Sequence, residues 1–193
     1  MLFVTPEIVD KVVEYTNQKA ESVYLLWNLI HPSNKRKWIP TNTTEIYGLI
    51  GLLVTMGALK AKREPLSMLW TTDPMYKRDL FQASFSRYRF SELLSYVRFD
   101  DMSTREERKQ KEKFCAFREI FIAFALECRT HYYPCNHLTV DAALVAFRGK
   151  CPFWVYMKSK PARYGIKIWA ICDVESSYAF NLQVCTGKEK SRL

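Results

Sequence analysis

The hydrophobic period of this chain changes once, near Leu138, and that change limits what it can fold into. Upstream, apolar residues recur at spacings of three and four, as in helices with one buried face. Ile8, Val12 and Tyr15 follow Thr5 and Pro6, which suit an N-cap and a first helical position. Trp38-Ile39-Pro40-Thr41 then breaks the chain. Thr43 or Thr44 precedes Glu45 and an apolar stretch ending near Gly57, and because it is apolar nearly all round it predicts a buried central helix. Pro65 and Asp73-Pro74 mark turns on either side of Met68-Leu69-Trp70. Helical stretches follow over 75–81 and 86–96, the second with Phe90, Leu93, Leu94 and Val97 on one face. Residues 103–113 are almost entirely polar and read as a solvated linker or helix end. Phe117, Ile120, Phe121 and Phe124 then form the core stripe of an amphipathic helix, with Arg118 and Glu119 outside.

From Leu138 the period is two. Residues 138–147 read as a strand with Leu138, Val140 and Leu144 on one side, and 164–172 as a second. After a turn over 173–177, Tyr178, Phe180, Leu182 and Val184 alternate in a third. Successive strands without a helical crossover imply an antiparallel meander. The expected fold class is therefore α+β, with an all-helical region over 1–131 followed by antiparallel strands over 132–193.

Composition bears on partners. With 48% hydrophobic and 25% charged residues the chain has the material for a real core. Its formal net charge of +9 points to polyanionic partners only if the charge is local. It is: between residues 142 and 172 there is no Asp or Glu, whereas Arg148, Lys150, Lys158, Lys160, Arg163 and Lys167 are all basic. A solvated basic face and a grip on phosphate both fit that run. The six cysteines have no regular spacing and read as reduced thiols. Glu7 and Asp10 come too early for a secretory signal, and the longest apolar run, 46–59, is shorter than the roughly 20 residues a membrane-spanning helix needs. The expectation is an intracellular protein with no membrane partner.

Asp141 stands out because Asp is disfavoured in strands and Val140, Leu144 and Val145 look like core material. A carboxylate buried there would need a hydrogen-bonding partner or a cation. On these residues alone an exposed strand Asp, or one making a local hydrogen bond, is the plainer reading. Cys128, His131, Cys135 and His137 match no standard zinc spacing and read as structural. Lys35-Arg36-Lys37 reads as a solvated loop.

Three runs carry a family resemblance: Leu138-Thr139-Val140-Asp141, Phe147-Arg148-Gly149-Lys150, and Lys160-Pro161-Ala162-Arg163-Tyr164-Gly165-Ile166-Lys167. Together they resemble the start of the catalytic domain of piggyBac transposases. Trp38-Ile39-Pro40 with Glu45, Met56-Gly57, Trp70, Ser86-Arg87-Tyr88-Arg89-Phe90 and Arg98-Phe99-Asp100-Asp101 resemble that family's helical region. The matches extend from about Trp38 to Gly187. The resemblance implies a ribonuclease H-like sheet, with Asp141 as the first of three catalytic aspartates and thus as part of a metal site that is incomplete here. Two divalent cations, Mg²⁺ in the intact family enzyme, need several carboxylates to clamp an in-line phosphoryl transfer. The second and third family aspartates fall beyond this segment. The chain is thus expected to hold a truncated catalytic domain, to carry no cofactor itself and not to catalyse alone. Asp173 is read as a turn former, and Asp141-Ala142 departs from the family's usual Asp-Glu. The resemblance further implies DNA as partner, a possible homodimer and a nuclear location, with the six basic residues as backbone contacts. A domesticated protein-interaction module, or an incomplete gene model of an active cut-and-paste transposase, are the alternatives.

Overall fold

A computed structural model describes residues 2–187. The chain divides into two compact units: one spans residues 6–102, and the other joins the segment before Pro6 to the chain from Ser103 onward.

The first unit is helical. Pro6 opens α1 (Pro6–Ile30), at the position where a missing backbone N–H costs nothing. Ile8, Val9, Val12, Thr16, Ala20 and Tyr24 form its buried stripe. Helix α2 (Thr43–Ala58) is capped by Asn42, whose side chain accepts the Glu45 backbone N–H at 2.9 Å. Ile46, Leu49 and Leu52 are buried, but Leu53 and Val54 are exposed, so α2 is not enclosed all round. Its neighbours cover one face only, and an apolar sequence does not by itself create a second covering layer. Two short helices follow, α3 (Leu66–Leu69) and α4 (Asp79–Ser84), so helix begins at Asp79 within the stretch expected over 75–81. Helix α5 (Arg87–Tyr96) is capped by Ser86, whose hydroxyl accepts the Arg89 N–H at 3.1 Å. Leu69, Phe81, Phe90 and Leu93 are fully buried, and Trp70 packs on Phe90 with ring centroids 4.9 Å apart while its indole donates to the Phe85 carbonyl at 2.7 Å.

One polar network ties this unit together. The Arg89 fork donates to both Glu45 oxygens at 2.7 and 2.8 Å, to Glu92 at 2.8 Å and to the Ile39 carbonyl at 2.8 Å. Its guanidinium also lies 4.5 Å over the Trp38 ring. The Asn17 amide accepts from the Trp38 indole and the Thr41 N–H, so the break at 38–41 is pinned to α1. Burial pushes the Glu45 carboxyl up, and hydrogen bonds from Arg89 and Thr41 more than offset this, leaving it below its ordinary range.

The second unit is α+β. Helix α6 (Arg105–Lys111) buries no residue; Glu106 and Glu107 in its first turn and Lys109 and Lys111 in its last suit the helix dipole. Helix α7 (Arg118–Thr130) buries Ile120, Ala125 and Cys128 and packs against the sheet. The strands are β1 (Leu138–Ala146), β2 (Val155–Tyr156), β3 (Tyr164–Asp173) and β4 (Ala179–Val184). Every pairing is antiparallel, with β3 central: β1 pairs one side, and β2 and β4 share the other. Among the described residues β1 has no second ladder partner. The meander of three strands is present, with β2 as an unanticipated addition. Gly165 lets β1 and β3 approach closely, since a Cβ there would meet the Val145 carbonyl oxygen at 2.1 Å.

Candidate nucleic-acid interface

Strand alternation decides what Asp141 can meet. It pairs with Ala170, so its side chain shares a face with Ala143 and Val145 on β1 and with Ile166, Ile168 and Ala170 on β3. The expected core around it does not form. Val140 and Val145 are 63% and 49% exposed, and the Asp141 side chain is 75% exposed. Alternation identifies a strand but not whether its faces and edge are covered, and among the described residues β1 is an edge. The carboxylate accepts the Ala142 N–H at 2.6 Å on one oxygen and the Lys160 ammonium at 3.3 Å on the other. The backbone hydrogen bond and then Lys160 hold it below the ordinary carboxylate range, so it is ionised near neutrality.

These residues do not by themselves fit a divalent cation. A hard cation wants about six oxygen ligands. Asp141 brings one carboxylate, and the Lys160 ammonium already occupies its outer oxygen. Asp173 cannot join it: paired with Leu138, it points to the opposite face. Both its oxygens are also taken, one by the Glu175 and Ser176 N–H groups at 2.9 and 3.0 Å, the other by the Cys135 N–H at 2.7 Å. Those bonds, Cys135's first, hold its pKa far below the ordinary range and make it the organiser of the β3–β4 turn. Among the described residues, no three His, Cys, Asp or Glu side chains come together as a metal site. Cys128 is buried, His131 contacts Glu127 at 3.0 Å, and Cys135 bonds the backbone of His137.

The six basic residues divide into three environments. Arg148 and Lys150 lie in the β1–β2 loop, and Lys158, Lys160 and Arg163 in the tight β2–β3 hairpin loop, where Met157, Lys160 and Arg163 are linked by backbone hydrogen bonds. Ala146 and Val155 both pair with Gly165, so both loops leave the same end of the sheet. Lys167 is apart: its ammonium sits 4.0 Å over the Trp169 ring, on the face opposite Asp141. Arg148 and Lys150 have no ion pair among the described residues, whereas Lys160 is committed to Asp141. One cation escaped sequence reasoning. Lys109, from the polar stretch read as a linker, lines a groove of about 590 Å³ with Arg148, Lys150 and Trp154. Upstream, Arg36 is pinned by its backbone to Asn28 and stacks 4.3 Å over Trp27.

The family profile described as Transposase IS4 matches residues 1–192. A solved structure, described as a cryo-EM structure of a piggyBac transposase synaptic complex with hairpin DNA, is similar with a TM-score of 0.84 at 31% sequence identity. The similarity covers 98% of this chain and 38% of that one, so the chain spans well under half the length of that relative.

Proposed function

The chain belongs to the piggyBac transposase family, within the Transposase IS4 profile, and on that premise we propose that it is a DNA-binding segment whose sheet unit grips the phosphate backbone. The observation that carries this reading is the acid-free rim at one end of the sheet, where Arg148, Lys150, Lys158 and Arg163 extend from two adjacent loops. Cations gathered on neighbouring loops can contact successive phosphates, which fixes position without reading sequence. Any sequence preference belongs to the helical unit. Through DNA as its ligand, the proposal extends to a nuclear site of action and to assembly as a homodimer.

These residues alone do not cleave or join DNA under this proposal. Support comes from the local chemistry: Asp141 is a single exposed carboxylate neutralised by Lys160, and Asp173 is spent on a turn. Carboxylates supplied from elsewhere would have to displace that lysine before a cation could enter.

Fluorescence anisotropy of a labelled duplex at several salt concentrations tests the binding reading. Joint Ala substitution of Arg148, Lys150, Lys158 and Arg163 should weaken binding to unrelated sequences alike. It should also flatten the log–log salt slope, by up to about 0.9 for each phosphate that is no longer neutralised. A wild-type chain that shows no salt-sensitive binding at low ionic strength refutes the proposal and favours an interaction module. Metal-dependent cleavage abolished by Asp141→Ala would refute the second part.

A further inference from the structure

The rim carries aromatic rings as well as charge, and backbone gripping alone gives no reason for them. Trp154, Tyr156 and Tyr164 are 53%, 51% and 52% exposed and pack on one another, with centroids 5.7 Å apart for Trp154–Tyr164 and 4.8 Å for Tyr156–Tyr164. The cross-strand pairing of Tyr156 with Tyr164 sets these two rings side by side on one face. Trp154 is also held in place from behind. The preceding residue, Phe153, is buried against Phe114 with centroids 5.7 Å apart, which anchors the loop while leaving the indole outside. The indole borders the groove that Lys109, Arg148 and Lys150 line; no carboxylate lines its wall, and Glu106 pairs with Lys109 at 3.7 Å from outside it. A volume of about 590 Å³ is ample for one nucleotide, given that small-ligand sites run from roughly 300 Å³ upward.

An open groove with cations on its wall and an indole at its lip matches a phosphate joined to a free base. In an intact duplex each base is stacked on its neighbours and offers no π-face to a protein. Resting on the DNA-binding reading above, we propose that Trp154, backed by Tyr164 and Tyr156, is a stacking platform for a nucleobase unpaired from its DNA duplex, with Arg148, Lys150 and Lys109 holding the adjoining phosphates. Stacking tolerates any base, so this contact selects DNA structure rather than sequence.

The test uses the 193-residue chain and three labelled DNAs: a blunt duplex, the same duplex with an unpaired thymidine tail, and an oligothymidine single strand. Trp154→Ala should lower affinity for the two probes with unpaired bases by about tenfold and change the blunt duplex by no more than about twofold. Trp154→Phe should recover most of the loss, and circular-dichroism melts should show both variants folded. Joint replacement of Arg148 and Lys150 by Ala should weaken all three probes. If Trp154→Ala affects every probe equally, or none, the stacking platform is refuted while backbone binding stands. If the wild-type chain binds no probe at low salt, both readings fall together.

Discussion

Replacing Gly165 with alanine tests whether β1 and β3 are held as close as described. The added Cβ would lie 2.1 Å from the Val145 carbonyl oxygen and 2.8 Å from its carbonyl carbon, where real Cβ atoms essentially never come within 3.0 Å. Both obstacles are backbone, so no rotamer change relieves the clash. The strands must part by about 0.9 Å where Ala146 pairs with Gly165. A ladder bond of about 2.9 Å stretched by that amount is no longer a hydrogen bond. Overpacking costs about 1–3 kcal/mol and each broken backbone bond about 1 kcal/mol, so we expect destabilisation of the sheet by about 3 kcal/mol. Native-state hydrogen exchange read by mass spectrometry should show protection of β1 and β3 peptides falling by about a hundredfold, as that energy implies. Gly51→Ala is the control: nothing lies within 4 Å of a Cβ there, and alanine in place of glycine within a helix should stabilise by up to about 1 kcal/mol. Protection of β1 and β3 that stays within a few-fold of wild type, with the control behaving as expected, would refute the close approach.

Arg89→Ala should destabilise the helical unit by about 2–3 kcal/mol in urea titrations, because it strands Glu45 and Glu92 in a largely buried setting. Arg89→Lys should recover less than half of that, since an ammonium cannot reproduce the fork. The Glu45 carboxyl titrates below its ordinary value of 4.5, so its contribution is fully present above that pH and is lost as pH falls through the depressed folded value. Acid unfolding followed by Trp fluorescence should therefore begin below about pH 4.5 in wild type, and this acid-dependent loss should be smaller in Glu45→Gln. Asp141→Ala should leave duplex affinity unchanged or slightly raised in anisotropy titrations, because it removes a negative charge and frees the Lys160 ammonium.

The helix-to-strand change was legible because hydrophobic period is a property of the chain itself: α7 ends at Thr130 and β1 begins at Leu138. The stretch that forms helix α5 was equally plain, since the spacing of Phe90 and Leu93 is local. The capping of α2 by the Asn42 side chain, which accepts the Glu45 N–H, went unread. What else escaped depended on contacts between distant segments. Strand β2 is two residues long and exists only by pairing with Tyr164 and Gly165, so no periodicity could announce it. The family-like residues Trp38, Glu45 and Arg89 are scattered in sequence and become one network only in the fold. At the candidate interface, the acid-free run was visible but its division was not. Which cations stay available depends on Asp141 engaging Lys160 and Trp169 engaging Lys167.

Among the described residues β1 has one open side, and there Asp141 would have a second role that needs no metal. Leu138, Val140 and Val145 are exposed along a strand that has no second ladder partner among the described residues, its Ala142 N–H being held by the Asp141 carboxylate itself. Such an edge invites a second copy to add on, and a charge within it is how natural proteins discourage this. If two β1 strands met antiparallel in the register centred on Asp141, the two carboxylates would face each other across the join and repel. Alanine at this position leaves β1 without a single charge along its whole length. The substitution usually chosen to silence a metal-binding aspartate would then also remove a guard against filament-like self-association. Sedimentation of Asp141→Ala beside Asp141→Asn and Asp141→Lys separates the two roles: the lysine variant should stay monodisperse, and the two uncharged variants should not.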